Sequence, residues 1–297
     1  MTVWLPATLL AGLLQAWRTA VQQRVRAELS VNAAGLVRYL YGFPVAALLL
    51  SFYIGWQGKA LPALGQSLLP YAALGGFVQV IGTTLLILAF GYRTYVVGTA
   101  YAKTEAVQGA VLAMLLLGEM LSPLTWLGIA IGVTGVVILS TGGKHLRFAD
   151  LTQPVALCGL GAGLCFALTS IFVKRATFAV GTEDKVLAAL IVLVAVLFLQ
   201  LIMQGSYVLL RERDQIPKVF RTWRVSGQVG LLAALGSACW FTGFATAPVA
   251  LVRAVGQVEV IFTLGFGRFY LKEPLKPSEL AGLLLVGAGV VVALLGA

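Results

Sequence analysis

The sequence predicts an all-α integral membrane protein: ten transmembrane helices, arranged as two inverted five-helix repeats around a central cavity. Three observations predict it. Of 297 residues, 60% are hydrophobic and only 11% charged, far below the roughly 25% charged residues of a soluble domain. Ten apolar segments of spanning length fill the chain, each near the 20 residues a membrane helix needs. Finally, the second half repeats the first at an offset of 154 residues, aligning Glu105 with Glu259, Gly128 with Gly282 and Gly135 with Gly289.

The segments run 3–23, 31–54, 69–91, 94–117, 124–141, 154–174, 185–208, 227–246, 249–271 and 278–296. The first has no basic residue ahead of its apolar stretch and no small-residue cleavage site after it, so it reads as a retained helix. Pro44 kinks or gates the second. The linkers Gly91-Tyr92-Arg93 and Thr246-Ala247-Pro248 are short enough to make tight hairpins. Gly128, Gly132 and Gly135 in the fifth segment, with Gly282, Gly287 and Gly289 in the tenth, suit close helix approach. Gly159-Leu160-Gly161-Ala162-Gly163 lies inside an apolar span with no strand before it, which excludes a dinucleotide loop. The longest polar connection, Arg211 to Arg224, reads as a solvated loop. Glu119 and Glu273, each at a span end, are placed to favour the N-terminus of the following helix.

The net charge of +10 serves topology and anionic lipid in such a chain, not nucleic acid. Odd-numbered connections hold Arg24, Arg26, Arg93, Lys144, Arg147, Arg211, Arg213, Lys218, Arg221, Arg224, Lys272 and Lys276; even-numbered ones hold Lys59, Lys174, Arg175 and Lys185. The excess of basic residues places the odd connections in the cytoplasm and both termini outside.

Two halves of five spans must face opposite ways, because five is odd. Inverted repeats of this kind recur in secondary transporters, with the site near the midplane between halves. The repeats are assigned to 1–145 and 150–297. The segment Leu117-Gly118-Glu119-Met120-Leu121-Ser122-Pro123-Leu124-Thr125-Trp126-Leu127-Gly128, followed by Gly135-Val136-Val137, resembles the EamA-type signature of the drug/metabolite transporter superfamily, and Leu271-Lys272-Glu273-Pro274-Leu275 repeats it more weakly. The resemblance implies a carrier whose cavity is formed by the first four helices of each half, with the fifth packed outside. It also implies cytoplasmic termini, against the charge count. The family commonly carries an apolar or Pro-containing stretch where this chain has Lys103-Thr104-Glu105. An Arg at the position of Arg38 is common there, which implies either a structural role for Arg38 or a contact with substrate.

Six ionisable residues lie deep in spans: Arg18, Arg38, Lys103, Glu105, Arg253 and Glu259. Each costs about 2.5–3.5 kcal/mol at a helix centre and marks a cavity or a buried pair. Helical spacing puts Gln15, Arg18 and Gln22 on one face of the first helix, and Gly98, Tyr101, Glu105 and Gln108 on one face of the fourth. In a continuous helix Lys103 points about 200° from Glu105 and cannot pair with it. Gln79 and Thr83 form a polar face in the third helix; Trp240 beside Gly236 offers an aromatic wall in the eighth. Glu105 and Glu259 either bind protons or a substrate group, or neutralise Arg18, Arg38 or Arg253 in fixed pairs. Tyr101 and Trp240 either stack on substrate or pack.

With four basic and two acidic residues, the cavity favours an anionic or zwitterionic metabolite moved by alternating access with proton coupling. The candidate substrate-binding residues are thus Glu105, Glu259, Arg18, Arg38, Tyr101, Gln108, Gln15, Gln79, Trp240, Lys103 and Arg253, with proton coupling at Glu105 and Glu259. The alternatives are a multidrug or cation exporter of the same fold and a membrane enzyme acting on lipids. The enzyme lacks clustered acids or histidines, a channel would need a filter loop or charge ring, and no phosphate-binding loop is present for ATP coupling. Cys158, Cys165 and Cys239 read as buried apolar residues and His145 as a loop residue, so no metal or cofactor is expected. The expected partners are a small molecule and membrane lipid, with no nucleic acid; the chain is a monomer or a homodimer through the fifth and tenth helices. The expected location is a bacterial inner membrane.

Overall fold

The computed structural model describes residues 3–92, 101–141, 153–269 and 277–296. Among these residues the chain is almost wholly helical: α1 (Trp4–Val25), α2 (Val31–Gln57), α3 (Leu68–Tyr92), α4 (Glu105–Leu117), α5 (Pro123–Thr141), α6 (Pro154–Phe178), α7 (Lys185–Arg211), α8 (Ile216–Arg221), α9 (Trp223–Thr246), α10 (Val249–Gly256), α11 (Glu259–Phe269) and α12 (Pro277–Leu295). Six stretches are long and apolar enough to cross a membrane: α2, α3, α6, α7, α9 and the α10–α11 run over Val249–Phe266. The chain is therefore an integral membrane protein with several spans. Helix α1 falls short of the same apolarity because Gln15, Arg18, Gln22, Gln23 and Arg24 interrupt it.

Local chemistry sets the helix ends. The Ser30 hydroxyl accepts from Ala33 N at 3.1 Å and opens α2. The Asp184 carboxylate accepts from Val186 N and Leu187 N and opens α7, satisfying amides that otherwise lack partners. Gly118 ends α4 at φ 68°, a backbone region that favours glycine. Between α2 and α3 the chain runs extended; Gly65 N donates to Ala179 O (2.8 Å) and Gly181 N to Ala63 O (2.9 Å).

Helix pairing follows a regular scheme. Helix α3 packs chiefly on α6 and α1 on α9; α2 contacts both α7 and α9, and α5 lies along α12. The last pair approaches so closely that a methyl group at Gly128 would sit 2.3 Å from Ala293 N, and one at Gly289 2.4 Å from Gly132 N. The glycine faces expected in the fifth and tenth segments thus meet each other within the chain, while Gly287 faces open space.

Two expectations change. The connection from Arg211 to Arg224 is not a plain solvated loop: it folds into a 3₁₀ turn, Arg213–Gln215, and helix α8. Val219 is buried there and its carbonyl accepts from the Tyr41 hydroxyl at 3.2 Å, so an apolar contact holds what its charges alone would leave in water. The fourth and ninth segments are not continuous helices. A turn at Lys103-Thr104 precedes α4, and a turn at Gln257-Val258 separates α10 from α11. The breaks lie 154 residues apart, the offset of the sequence repeat.

Candidate functional site

The two breaks bring the buried charges together. Glu105 is the first residue of α4 and Glu259 the first of α11, so both carboxylates sit at the positive ends of half-helices, where negative charge is stabilised. Lys103 Nζ lies 2.5 Å from Glu259 Oε2 and 3.4 Å from Glu105 Oε1. Arg253 Nη1 lies 3.1 Å from Glu105 Oε2. All four side chains are at most 6% exposed. The contact between Lys103 and Glu105 corrects the expectation that they point apart: that expectation assumed helical rotation through residue 104, where the chain turns instead.

Around this cluster the polar groups are closely partnered. Gln15 Nε2 donates to Glu259 Oε2 (2.7 Å), and Trp240 Nε1 donates to Gln15 Oε1 (2.9 Å). Arg253 Nε donates to Ser170 Oγ (2.9 Å) and Nη2 to the Phe166 carbonyl (2.6 Å). Its guanidinium also lies 5.2 Å from the Trp240 ring centroid and 4.9 Å from that of Phe244, within cation–π range. Arg18 donates to Thr19 Oγ1. Trp240 packs on Gly256 rather than Gly236: a methyl at Gly256 would meet its ring at 2.4 Å.

Arg38 is buried, 3% exposed. Nη1 donates to Thr83 Oγ1 (3.0 Å) and Nη2 to Ser237 Oγ (3.4 Å), its guanidinium lies 5.7 Å from the Tyr39 ring, and among the described residues no carboxylate pairs with it.

Between these groups is a cavity of about 20 Å³ lined by Gln15, Arg18, Arg38, Gln79, Phe166, Thr169, Ser237, Trp240, Phe241, Phe244 and Arg253. That is room for about one water, so any solute requires the surrounding helices to part. Six predicted residues line it: Gln15, Arg18, Arg38, Gln79, Trp240 and Arg253. Lys103, Glu105 and Glu259 join it through their pairs. Tyr101 and Gln108 face α6 instead: a methyl at Gly159 would meet Tyr101 Cβ at 2.3 Å, and Gln108 Nε2 donates to the Leu160 carbonyl (3.4 Å). Gly98 lies outside the described residues, as do Arg93, Lys144, His145, Arg147, Lys272, Glu273 and Lys276.

Sequence reasoning missed Phe166, Thr169, Ser237, Phe241 and Phe244. The last three share a face with Trp240 at i, i+3, i+4 and i+7, a signal that was present. It also missed the role of Glu119, which serves α10 and not the following α5. Its Oε2 accepts from Ala250 N (3.4 Å), while Lys174 Nζ bridges Glu119 Oε1 (2.7 Å) and the Ala247 carbonyl (2.8 Å). A larger groove of about 370 Å³, lined by residues including Leu10, Phe52, Leu190 and Cys239, is wholly apolar and suits a lipid chain better than a polar solute.

The model of the EamA-like transporter family matches residues 2–141 and again residues 153–295. One solved protein structure matches 98% of this chain and 97% of its own, with a TM-score of 0.74 at 17% sequence identity; at that identity the likeness shows the fold alone.

Proposed function

The chain belongs to the EamA-like transporter family, and we propose that it is a secondary active carrier moving a small anionic or zwitterionic metabolite by alternating access coupled to protons. The observation that carries this reading is the four-charge cluster at two repeat-related helix breaks. Broken helices near the midplane are where carriers hold substrate and coupling ion. The 1–145 and 150–297 units act as inverted repeats in this reading. The pairing scheme supports it: exchanging first-half spans for their second-half counterparts turns the α3–α6 pair into α9–α1 and leaves α5–α12 unchanged.

In this mechanism Glu259 and Glu105 are the proton acceptors. While ionised, Glu259 satisfies Lys103 and closes the cluster across the halves. Once protonated, it leaves Lys103 less compensated and raises the positive charge beside the cavity, which favours the substrate anion there. Proton and anion are then bound together, which couples their movements. Lys103, Arg253, Arg18 and Arg38 against Glu105 and Glu259 give this region two excess positive charges, which argues against a lipophilic cation as cargo.

The test is thermal stabilisation of the purified protein across a metabolite library, repeated on the Glu105→Gln/Glu259→Gln double variant, since a ligand specific for the folded state raises apparent stability. Stabilisation by anionic or zwitterionic compounds, altered in the variant, is expected. Stabilisation only by lipophilic cations would contradict the reading.

A further inference from the structure

Resting on the carrier reading above, we infer that Arg38 anchors the substrate through a side-on pair of hydrogen bonds to a carboxylate, and that the substrate carries an aromatic ring on that carboxylate. Two observations converge on this. The first is the set of donors Arg38 leaves unused. Thr83 and Ser237 take one bond each from Nη1 and Nη2, whereas the buried Nε has no hydrogen-bond partner. Nε with the neighbouring Nη is the edge of a guanidinium that matches both oxygens of one carboxylate. A buried cation with an idle donor and no carboxylate partner among the described residues costs stability unless a ligand completes it.

The second observation is what surrounds it. Phe166, Phe241, Trp240 and Phe244 line the same cavity as Arg38, and the Trp240 and Phe244 rings stack with centroids 5.7 Å apart. Aromatic walls give a planar ring extensive contact in offset or edge-to-face geometry. Arg253 caps the Trp240 and Phe244 rings here, so part of the ring surface becomes free when that guanidinium moves.

The probes are 3-phenylpropionate, its primary amide and hexanoate, read by thermal stabilisation of purified protein. The acid is expected to stabilise, hexanoate to bind at least about tenfold more weakly, and the amide to give no shift. Arg38→Gln should abolish the response to the acid. Arg38→Lys, which keeps the charge and loses the planar edge, should weaken binding about tenfold. Ser237→Ala frees one arm of the guanidinium and serves where Arg38→Gln does not fold; a several-fold loss is expected. Equal response to acid and amide, no response to the acid, or an unchanged response in Arg38→Gln or Ser237→Ala would overturn the inference. Counterflow of a labelled library compound separates the two levels: its presence with an unresponsive Arg38 removes the anchor and keeps the carrier. Its absence for every compound in the native protein removes the carrier itself.

Discussion

Lys103 Nζ and Glu259 Oε2 stand 2.5 Å apart across 156 residues of sequence, joining the helix break of the first half to that of the second. Both side chains are almost fully buried, so each charge relies chiefly on the other, with Glu105 Oε1 at 3.4 Å the second counter-charge of Lys103: removing one partner of such a pair leaves a poorly compensated ion.

Lys103→Met alone and Glu259→Gln alone should each destabilise the folded protein by about 3–5 kcal/mol, and the double variant should lose less than the sum. Thermal unfolding of the four proteins gives the coupling, expected at about 1–3 kcal/mol. Additive losses would mean that the two groups do not share a counter-charge.

Glycine substitutions separate close packing from helix propensity. A methyl at Gly289 would meet backbone at 2.4 Å, whereas Gly287 faces open space. Gly289→Ala should therefore lower stability by more than about 2 kcal/mol, and Gly287→Ala should be neutral or raise it by up to about 1 kcal/mol. Equal effects in a thermal scan would argue against the α5–α12 contact.

Asp184 supplies a pH test outside the spans. Partial burial alone would raise its pKa, but the Lys59 ammonium, the Leu187 amide and the Tyr53 hydroxyl together hold it below its ordinary value of 3.8. A depressed carboxylate stabilises the fold above the unfolded pKa, and this is lost as pH falls through the folded value. The Asp184 contribution should be complete above about pH 5 and fade below about pH 4. Asp184→Asn should flatten that acid limb; an identical limb would remove the carboxylate from the account.

Orientation is tested by the charge count. Glu28 and Lys59 are exposed in connections after α1 and α2. With the basic odd connections in the cytoplasm, an impermeant maleimide applied to intact cells should label Lys59→Cys and spare Glu28→Cys. The reverse pattern would place the first connection outside.

Much of this architecture is legible in the sequence because hydropathy reports burial in lipid directly: α2, α3, α6, α7 and α9 begin and end within a few residues of the apolar segments. The 154-residue offset also singles out Glu105 and Glu259 as counterparts. What it does not show is the helix break. Neither Lys103-Thr104 nor Gln257-Val258 contains Gly or Pro; only Gly256, just before the second turn, hints at it. Extending the helix through Thr104 turned Lys103 away from Glu105 and hid the cluster. Long-range pairs such as Lys103–Glu259 and Glu119–Lys174 depend on how the halves pack, which periodicity does not encode. The aromatic face of Trp240, Phe241 and Phe244 was readable, but in an apolar helix it resembles ordinary packing.

In the proposed mechanism the buried glutamates carry the proton. Reconstituted in proteoliposomes with the library compound that stabilises it most, the native protein should accumulate that compound down a pH gradient and exchange it without one. Glu259→Gln should keep exchange and lose gradient-driven accumulation by at least about tenfold. Full gradient-driven accumulation in both Glu259→Gln and Glu105→Gln would contradict the account.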